Sequence, residues 1–202
     1  KARTCDGNTT SESIHDFARL REELEPGRHV ALNKRYTLCY KKKQDWTWIG
    51  GPLHLACMQP PSAESSEVAE MLLEMRAQVD DFIEFVPAWT QVTMLPLHVA
   101  AGSDNADVVR LLVKEGAVVG VSVDQKSKNG EKDDFTALHE AAYFGNLAST
   151  RALLEEGADP NAKNMNKQTP LNVVLRAWSE QVTEVVKMLL KFKADVTLQD
   201  YR

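Results

Sequence analysis

Apolar and polar positions recur along most of the chain in one compound pattern. A leucine, usually followed by histidine and small residues, opens a short apolar run at Pro52-Leu53-His54-Leu55-Ala56-Cys57, Pro96-Leu97-His98-Val99-Ala100-Ala101, Ala137-Leu138-His139-Glu140-Ala141-Ala142 and Pro170-Leu171-Asn172-Val173-Val174. A second apolar run follows each of them, as in Val68, Met71, Leu72 and Met75, whose spacing predicts a helix. A unit of this size cannot bury its own apolar face. Units therefore stack, and the chain is expected to be a repeat solenoid.

The pattern resembles the ankyrin repeat. Thr136-Ala137-Leu138-His139-Glu140-Ala141-Ala142 matches its Thr-Pro-Leu-His-x-Ala-Ala opening best, with Thr169-Pro170-Leu171 as a partial copy. The second runs and their exits agree too, through Glu115-Gly116-Ala117, Glu156-Gly157-Ala158-Asp159-Pro160-Asn161-Ala162 and Ala194-Asp195-Val196. The resemblance covers residues 50 to 200. It implies an all-α repeat solenoid, here with extended β-hairpin fingers joining the units. Residues 1–50 are expected to form a degenerate N-terminal repeat or cap with a long finger. Residues 51–202 are expected to hold four repeats, at about 51–80, 95–120, 136–162 and 169–196.

Spacing locates the irregularities. The leucine anchors Leu53, Leu97, Leu138 and Leu171 lie 44, 41 and 33 residues apart, against a family period of about 33. From each anchor to its exit alanine (Ala77, Ala117, Ala158, Ala194) the distances are 24, 20, 20 and 23 residues, so the first and fourth repeats carry insertions. In the first, the insertion reads as the proline-broken loop Gln59-Pro60-Pro61-Ser62-Ala63-Glu64. The first two connections are longer than the third, and the excess reads as strands: Phe82 to Val86 with Trp89 to Met94, and Val118 to Val123 with a return at Asn129-Gly130. Tyr36 to Tyr40 with Trp46 to Ile49 suggests a further hairpin, so three long fingers are expected side by side. Ser13 to Leu24 predicts a helix. Leu198-Gln199-Asp200 reads as the start of another finger. Gly116 and Gly157 are expected to end second helices in the left-handed region, whereas Arg76 and Lys193 stand at the other two exits and imply strain or another geometry.

Charge and cysteine usage narrow the function. Residues 1–50 carry a net +3 and residues 51–202 a net −8. An acidic solenoid repels phosphate backbones, so nucleic acid is not an expected partner, and Lys41-Lys42-Lys43 reads as a solvated turn. Cys5, Cys39 and Cys57 form no close pair or metal-ligand spacing, which points to a reducing, intracellular setting in cytoplasm or nucleus. Asn8-Thr9-Thr10 is a chance glycosylation triplet. No apolar run is long enough to span a bilayer, so no membrane insertion by this segment is expected. Starting at Lys1, the chain reads as an excised piece.

Candidate catalytic chemistry is thin. His54, His98 and His139 recur once per unit, and the resemblance implies that this histidine bonds the finger. Asp80-Asp81 and Asp133-Asp134 read as solvated finger residues. No phosphate loop, nucleophile elbow or zinc-protease helix is present, so no catalytic residue, metal or cofactor is expected. Asn161 resembles the finger asparagine that an oxygen-sensing hydroxylase modifies, and it also suits a turn residue bonding its own backbone.

The resemblance carries partner contacts to the exposed ends of first helices and the fingers. Here these are Met58 and Gln59, Gly102 and Ser103, Tyr143 and Phe144, Arg176 and Trp178, with Met165, Asn166 and Gln168 from the finger. Tyr143, Phe144, Arg176 and Trp178 are residue types that dominate interfaces. Trp178 alternatively becomes local core. Trp46, Trp48, Phe82, Phe85 and Trp89 either line a buried face of a sheet built from fingers or face a partner. The expected function is a monomeric protein-interaction module that binds a partner protein through groove and fingers. The alternative is a regulatory or targeting domain of a larger protein, such as an enzyme, a ubiquitin ligase adaptor, a microbial effector or a membrane channel.

Overall fold

The computed structural model describes residues 17–22, 24, 36–39, 47–86, 92–119, 122–129, 134–177 and 179–200. Trp46, Trp89, Trp178, Cys5 and Asn8 lie outside them, as do the side chains of Trp48, Phe85 and Cys39.

Each leucine anchor starts a short helix: α2 (Pro52–Cys57), α4 (Pro96–Gly102), α6 (Ala137–Phe144) and α8 (Pro170–Val174). Proline stands at the first helical position of α2, α4 and α8, where its missing N–H costs no bond. Thr136 caps α6 and Thr169 caps α8 through their hydroxyls. The partner helices are α3 (Ala63–Glu74), α5 (Ala106–Val119), α7 (Leu147–Glu155) and α9 (Val182–Lys191). First helices pack in the row α2, α4, α6, α8 and second helices in the row α3, α5, α7, α9. Ala56, Ala100, Ala101, Ala141 and Ala142 are fully buried in the first row, so a side chain of one carbon sets the spacing there. The pairs thus pile in line as an α-helical repeat solenoid with one apolar core from Phe17 to Ala194.

Before α2 lies a helical turn, α1, described over residues 17–22, with Phe17, Leu20 and Leu24 buried. Arg21 pairs with Glu64 of α3 at 2.6 Å.

The long connections contribute β1 (Tyr36–Cys39), β2 (Thr47–Gly50), β3 (Ile83–Val86), β4 (Val92–Met94) and β5 (Lys128–Asn129), hydrogen-bonded in that order as one antiparallel sheet. β1 and β2 pair Thr37 with Ile49, and β3 and β4 pair Ile83 with Met94. Successive connections also pair with each other: Trp48 stands opposite Phe85, and Val92 opposite Asn129.

Several expectations are corrected. Val118 and Val119 are helical, and Val123 lies in a turn. Gly116 does not end its helix: α5 is packed between α3 and α7, and burial of Val108, Val109 and Leu112 carries it to Val119 against local preference. Met75, assigned to the apolar face of α3, is exposed as its C-cap, and Glu64 belongs to the helix rather than the proline loop. Gly157 does take a left-handed φ of 90°. Arg76 (φ 65°) and Lys193 (φ 67°) adopt the same region with a β-carbon in the way.

Polar groups tie neighbouring repeats together. Asn105 Nδ2 donates to Ser65 Oγ at 2.9 Å, Asn146 Nδ2 to the Ala101 carbonyl at 2.8 Å, and the Ser149 N–H to Asp104 Oδ1 at 2.8 Å. On the outer row, Arg110 reaches Glu155 at 2.6 Å and Glu156 at 3.2 Å.

Candidate functional site

The recurring histidines are built into the connections. His98 Nε2 donates to the Phe135 carbonyl, and His139 Nε2 to the Gln168 carbonyl, both at 2.9 Å. In His139 the other ring nitrogen accepts the Thr136 N–H at 3.2 Å, which fixes the Nε2–H tautomer. Burial pushes both imidazoles down to about 4, so they are neutral near pH 7. His54 is equally buried; its Nδ1 accepts the Gly51 N–H at 3.3 Å and lies 3.9 Å from an Asp81 carboxylate oxygen. The rings of His98 and His139 are structural struts between repeats. Cys57 is buried, and burial pushes its thiol up, which makes it a poor nucleophile. Among the described residues no three metal-ligating side chains gather, and no helix is long and apolar enough to cross a membrane.

Asn161 is a turn residue and more. Its N–H donates to Asp159 Oδ1 at 2.8 Å, while its side chain donates to the Lys193 carbonyl at 3.2 Å and accepts the Asp195 N–H at 2.7 Å.

The surface residues fall into register. Met58, Gly102, Tyr143 and Arg176 each stand five residues after a leucine anchor, and Gln59, Ser103 and Phe144 come one position later. Because the first helices are packed side by side, these positions form two parallel rows at their C-terminal ends. Met58 caps α2, and Gln59 Nε2 donates to the Leu55 carbonyl at 3.1 Å. Gly102 ends α4 and Ser103 caps it. Tyr143 and Phe144 end α6 with 42% and 45% of their surface exposed. Arg176 is exposed beyond α8.

Tyr143 and Phe144 meet edge to face at 5.2 Å between centroids. Phe144 leans over the preceding repeat, where its ring lies 3.6 Å from the place a β-carbon on Gly102 would occupy. The structure therefore brings Gly102, Tyr143 and Phe144 together. Met165 and Asn166 are exposed in the turn of the next connection, where the Asn166 N–H donates to Asn164 Oδ1 at 2.9 Å.

Gln168 is corrected. It is only 3% exposed, its N–H donates to Asn164 Oδ1 at 2.8 Å, its Oε1 accepts from Asn164 Nδ2 at 3.2 Å, and its Nε2 reaches Asp200 at 3.3 Å. A residue held this way braces the finger and cannot face a partner.

Two surface residues escape a reading by pattern alone. Phe135, just before the capping Thr136, stacks on His139 at 5.3 Å and stands 6.3 Å from Tyr143. Its position eight residues before Tyr143 is the signal. Leu175 occupies the register of Cys57, Ala101 and Ala142, all fully buried, yet it is 70% exposed. Depressions of about 500 and 430 Å³ lie against the second helices and their exits, lined among others by Arg76 and Glu115 and by Arg110 and Lys114, and include none of these residues.

The chain is 29% identical over 126 residues to the transient receptor potential channel pyrexia of Drosophila melanogaster, covering 62% of this chain and 11% of that protein. It is 29% identical over 141 residues to NF-kappa-B inhibitor zeta of Homo sapiens, covering 64% of this chain and 18% of that one. A putative ankyrin repeat protein of fowlpox virus is 31% identical over 107 residues, covering 53% and 29%. The chain thus spans less than a third of the length of these relatives. The family pattern described as "Ankyrin repeats (3 copies)" matches residues 53–164 and 97–200, which takes in most of the sequence. The chain belongs to the ankyrin repeat family.

Proposed function

We propose that this chain is a protein-binding module that holds a partner protein across the ends of its first helices and the tips of its connecting fingers. Ankyrin repeats generally mediate protein–protein interaction, and the family is typically non-catalytic. The observation that carries the reading is the pair Tyr143 and Phe144. Both rings remain exposed on a helix whose other apolar residues are buried, and they stand on a tightly packed base. Large aromatics on rigid backbone lose little entropy on binding, which is why they anchor interfaces.

In this reading residues 1–50 act as an N-terminal cap with a finger, and the repeats at about 51–80, 95–120, 136–162 and 169–196 form the rigid support. The sheet joining the first three connections widens the surface on one side. Met58, Gln59, Gly102, Ser103, Tyr143, Phe144, Met165, Asn166, Arg176 and Trp178 supply contacts. The module works as an intracellular monomer. A second reading, the regulatory segment of a larger protein such as a membrane channel, is favoured by the similarity to pyrexia.

Affinity capture with the 202-residue chain tests the proposal. Tyr143→Ala and Phe144→Ala should each reduce recovery of the same partner while circular dichroism stays unchanged. Recovery unaffected by both changes contradicts it.

A further inference from the structure

Resting on that docking surface, we infer that the segment it takes is a short acidic–apolar stretch of a partner protein, with an apolar side chain against Tyr143 and Phe144 and a carboxylate on Arg176.

The apolar part follows from geometry. Gly102 leaves a gap in the row between Met58 and Tyr143, and the Phe144 ring closes only one side of it. A protruding aliphatic or aromatic side chain fits such a notch beside the exposed Phe144 ring and the Tyr143 ring that meets it, and its burial is favourable without any rearrangement of the helices.

The charge follows from which groups the protein has already neutralised. In the third and fourth repeats most carboxylates are held by donors of the chain itself. Glu155 and Glu156 bind Arg110, Glu184 binds Lys187 at 2.7 Å, and Asp159 accepts the Asn161 N–H. Asp195 accepts the Thr197 N–H and hydroxyl at 2.8 and 2.7 Å, and Asp200 accepts from Gln168. Glu140 on α6 has an interaction of its own as well. Asp134, half-buried beside Phe135, precedes the third repeat, and Glu180 is exposed between α8 and α9. The guanidinium of Arg176, by contrast, has no hydrogen-bond or ion-pair partner among the described residues, and the residue sits in the same row as Tyr143, one repeat on.

The acidic net charge of the chain does not oppose this. Residues 51–86 carry seven carboxylates against one arginine, a net −6 of the −8 that lies beyond residue 50, and they belong to the first repeat and the connection that follows it. Glu64, Glu67, Glu70 and Glu74 there lie exposed on α3, in the second-helix row. A carboxylate at Arg176 is separated from them by two intervening repeats, each about 10 Å across, which is more than one screening length at physiological salt, about 8 Å.

Spacing makes the inference specific. Neighbouring first helices stand about 10 Å apart, and an extended strand rises about 3.3 Å per residue. The carboxylate should therefore fall about three residues from the apolar anchor. Arginine suits this contact because its planar fork donates two parallel hydrogen bonds to a carboxylate.

Selection of random twelve-residue peptides displayed on phage, with the 202-residue chain as bait, provides the test. The expected result is enrichment of peptides with Asp or Glu about three positions from Leu, Phe or Trp. A synthetic representative should bind about tenfold more weakly to Tyr143→Ala and to Arg176→Glu, less weakly to Arg176→Lys, and unchanged to Lys187→Ala. Replacing its carboxylate by lysine should restore binding to Arg176→Glu. Thermal midpoints of these exposed-site variants should stay at the parent value. Enriched peptides that are net basic yet still depend on Tyr143 would overturn the charge assignment and leave the docking surface standing. Peptides indifferent to both Tyr143→Ala and Phe144→Ala would overturn both readings, and failure to enrich any peptide would overturn the inference of a short segment.

Discussion

The Nε2–H of His139 donates to the main-chain carbonyl of Gln168 at 2.9 Å, so a side chain in one repeat holds the connection leading into the next. His98 does the same for Phe135. Both rings are neutral in the folded state, held near 4 by burial, against 6.5 when unfolded. Above pH 6.5 the two states bind the same protons and nothing is lost. As pH falls from 6.5 towards 4, the unfolded chain takes up protons that the folded chain refuses, and stability drains by about 3 kcal/mol per histidine by pH 4. Urea midpoints measured from pH 7.5 to 4 should fall through that window. The fall should be shallower in the His98→Gln, His139→Gln double variant, and an equal slope in both proteins would contradict the assignment.

Asn161 makes two bonds to the fourth repeat, one to the Lys193 carbonyl and one from the Asp195 N–H. Asn161→Ala should cost about 1 to 2 kcal/mol. Native-state hydrogen exchange should show the loss first in α9, while α2 and α4 keep their protection.

Arg76 and Lys193 hold left-handed backbone that costs a residue with a β-carbon about 1 to 2 kcal/mol. Glycine removes that cost but adds freedom to the unfolded chain, roughly 0.5 to 1 kcal/mol. Arg76→Gly and Lys193→Gly should therefore each raise stability by about 0.5 to 1 kcal/mol, read as a higher thermal midpoint. Gly157→Ala, at φ 90°, should lower it.

Much of this architecture is legible in the sequence because stacking imposes a strict register. Ala56, Ala100 and Ala141 must be small, and the histidine must stand beside them to reach the connection, so both recur at fixed distances from the leucine. What fails to show is whatever depends on neighbours from other repeats. Gly116 and the valines after it have the composition of a helix stop followed by a strand, yet α5, packed between α3 and α7, runs on through them to Val119. Gln168 has the composition of a contact residue, yet Asn164 and Asp200 enclose it. Tyr143 and Phe144 are legible as exposed aromatics from their register at the end of α6. The lean of Phe144 over Gly102 is not, because it spans two repeats.

Gly102→Leu should push the Phe144 ring off its seat and fill the notch. Because Gly102 lies at a partly exposed helix end, the fold should survive with a change within about 1 kcal/mol. Partner recovery should drop as far as with Tyr143→Ala, and a large loss of stability instead would mark the site as core.

The most direct measurement is hydrogen exchange of the 202-residue chain with and without a captured partner. Slower exchange at residues 102–103, 143–144 and 165–167, with α5 and α7 unchanged, is the predicted footprint. Protection confined to the second helices α3, α5, α7 and α9 would place the partner on the opposite row and contradict the account.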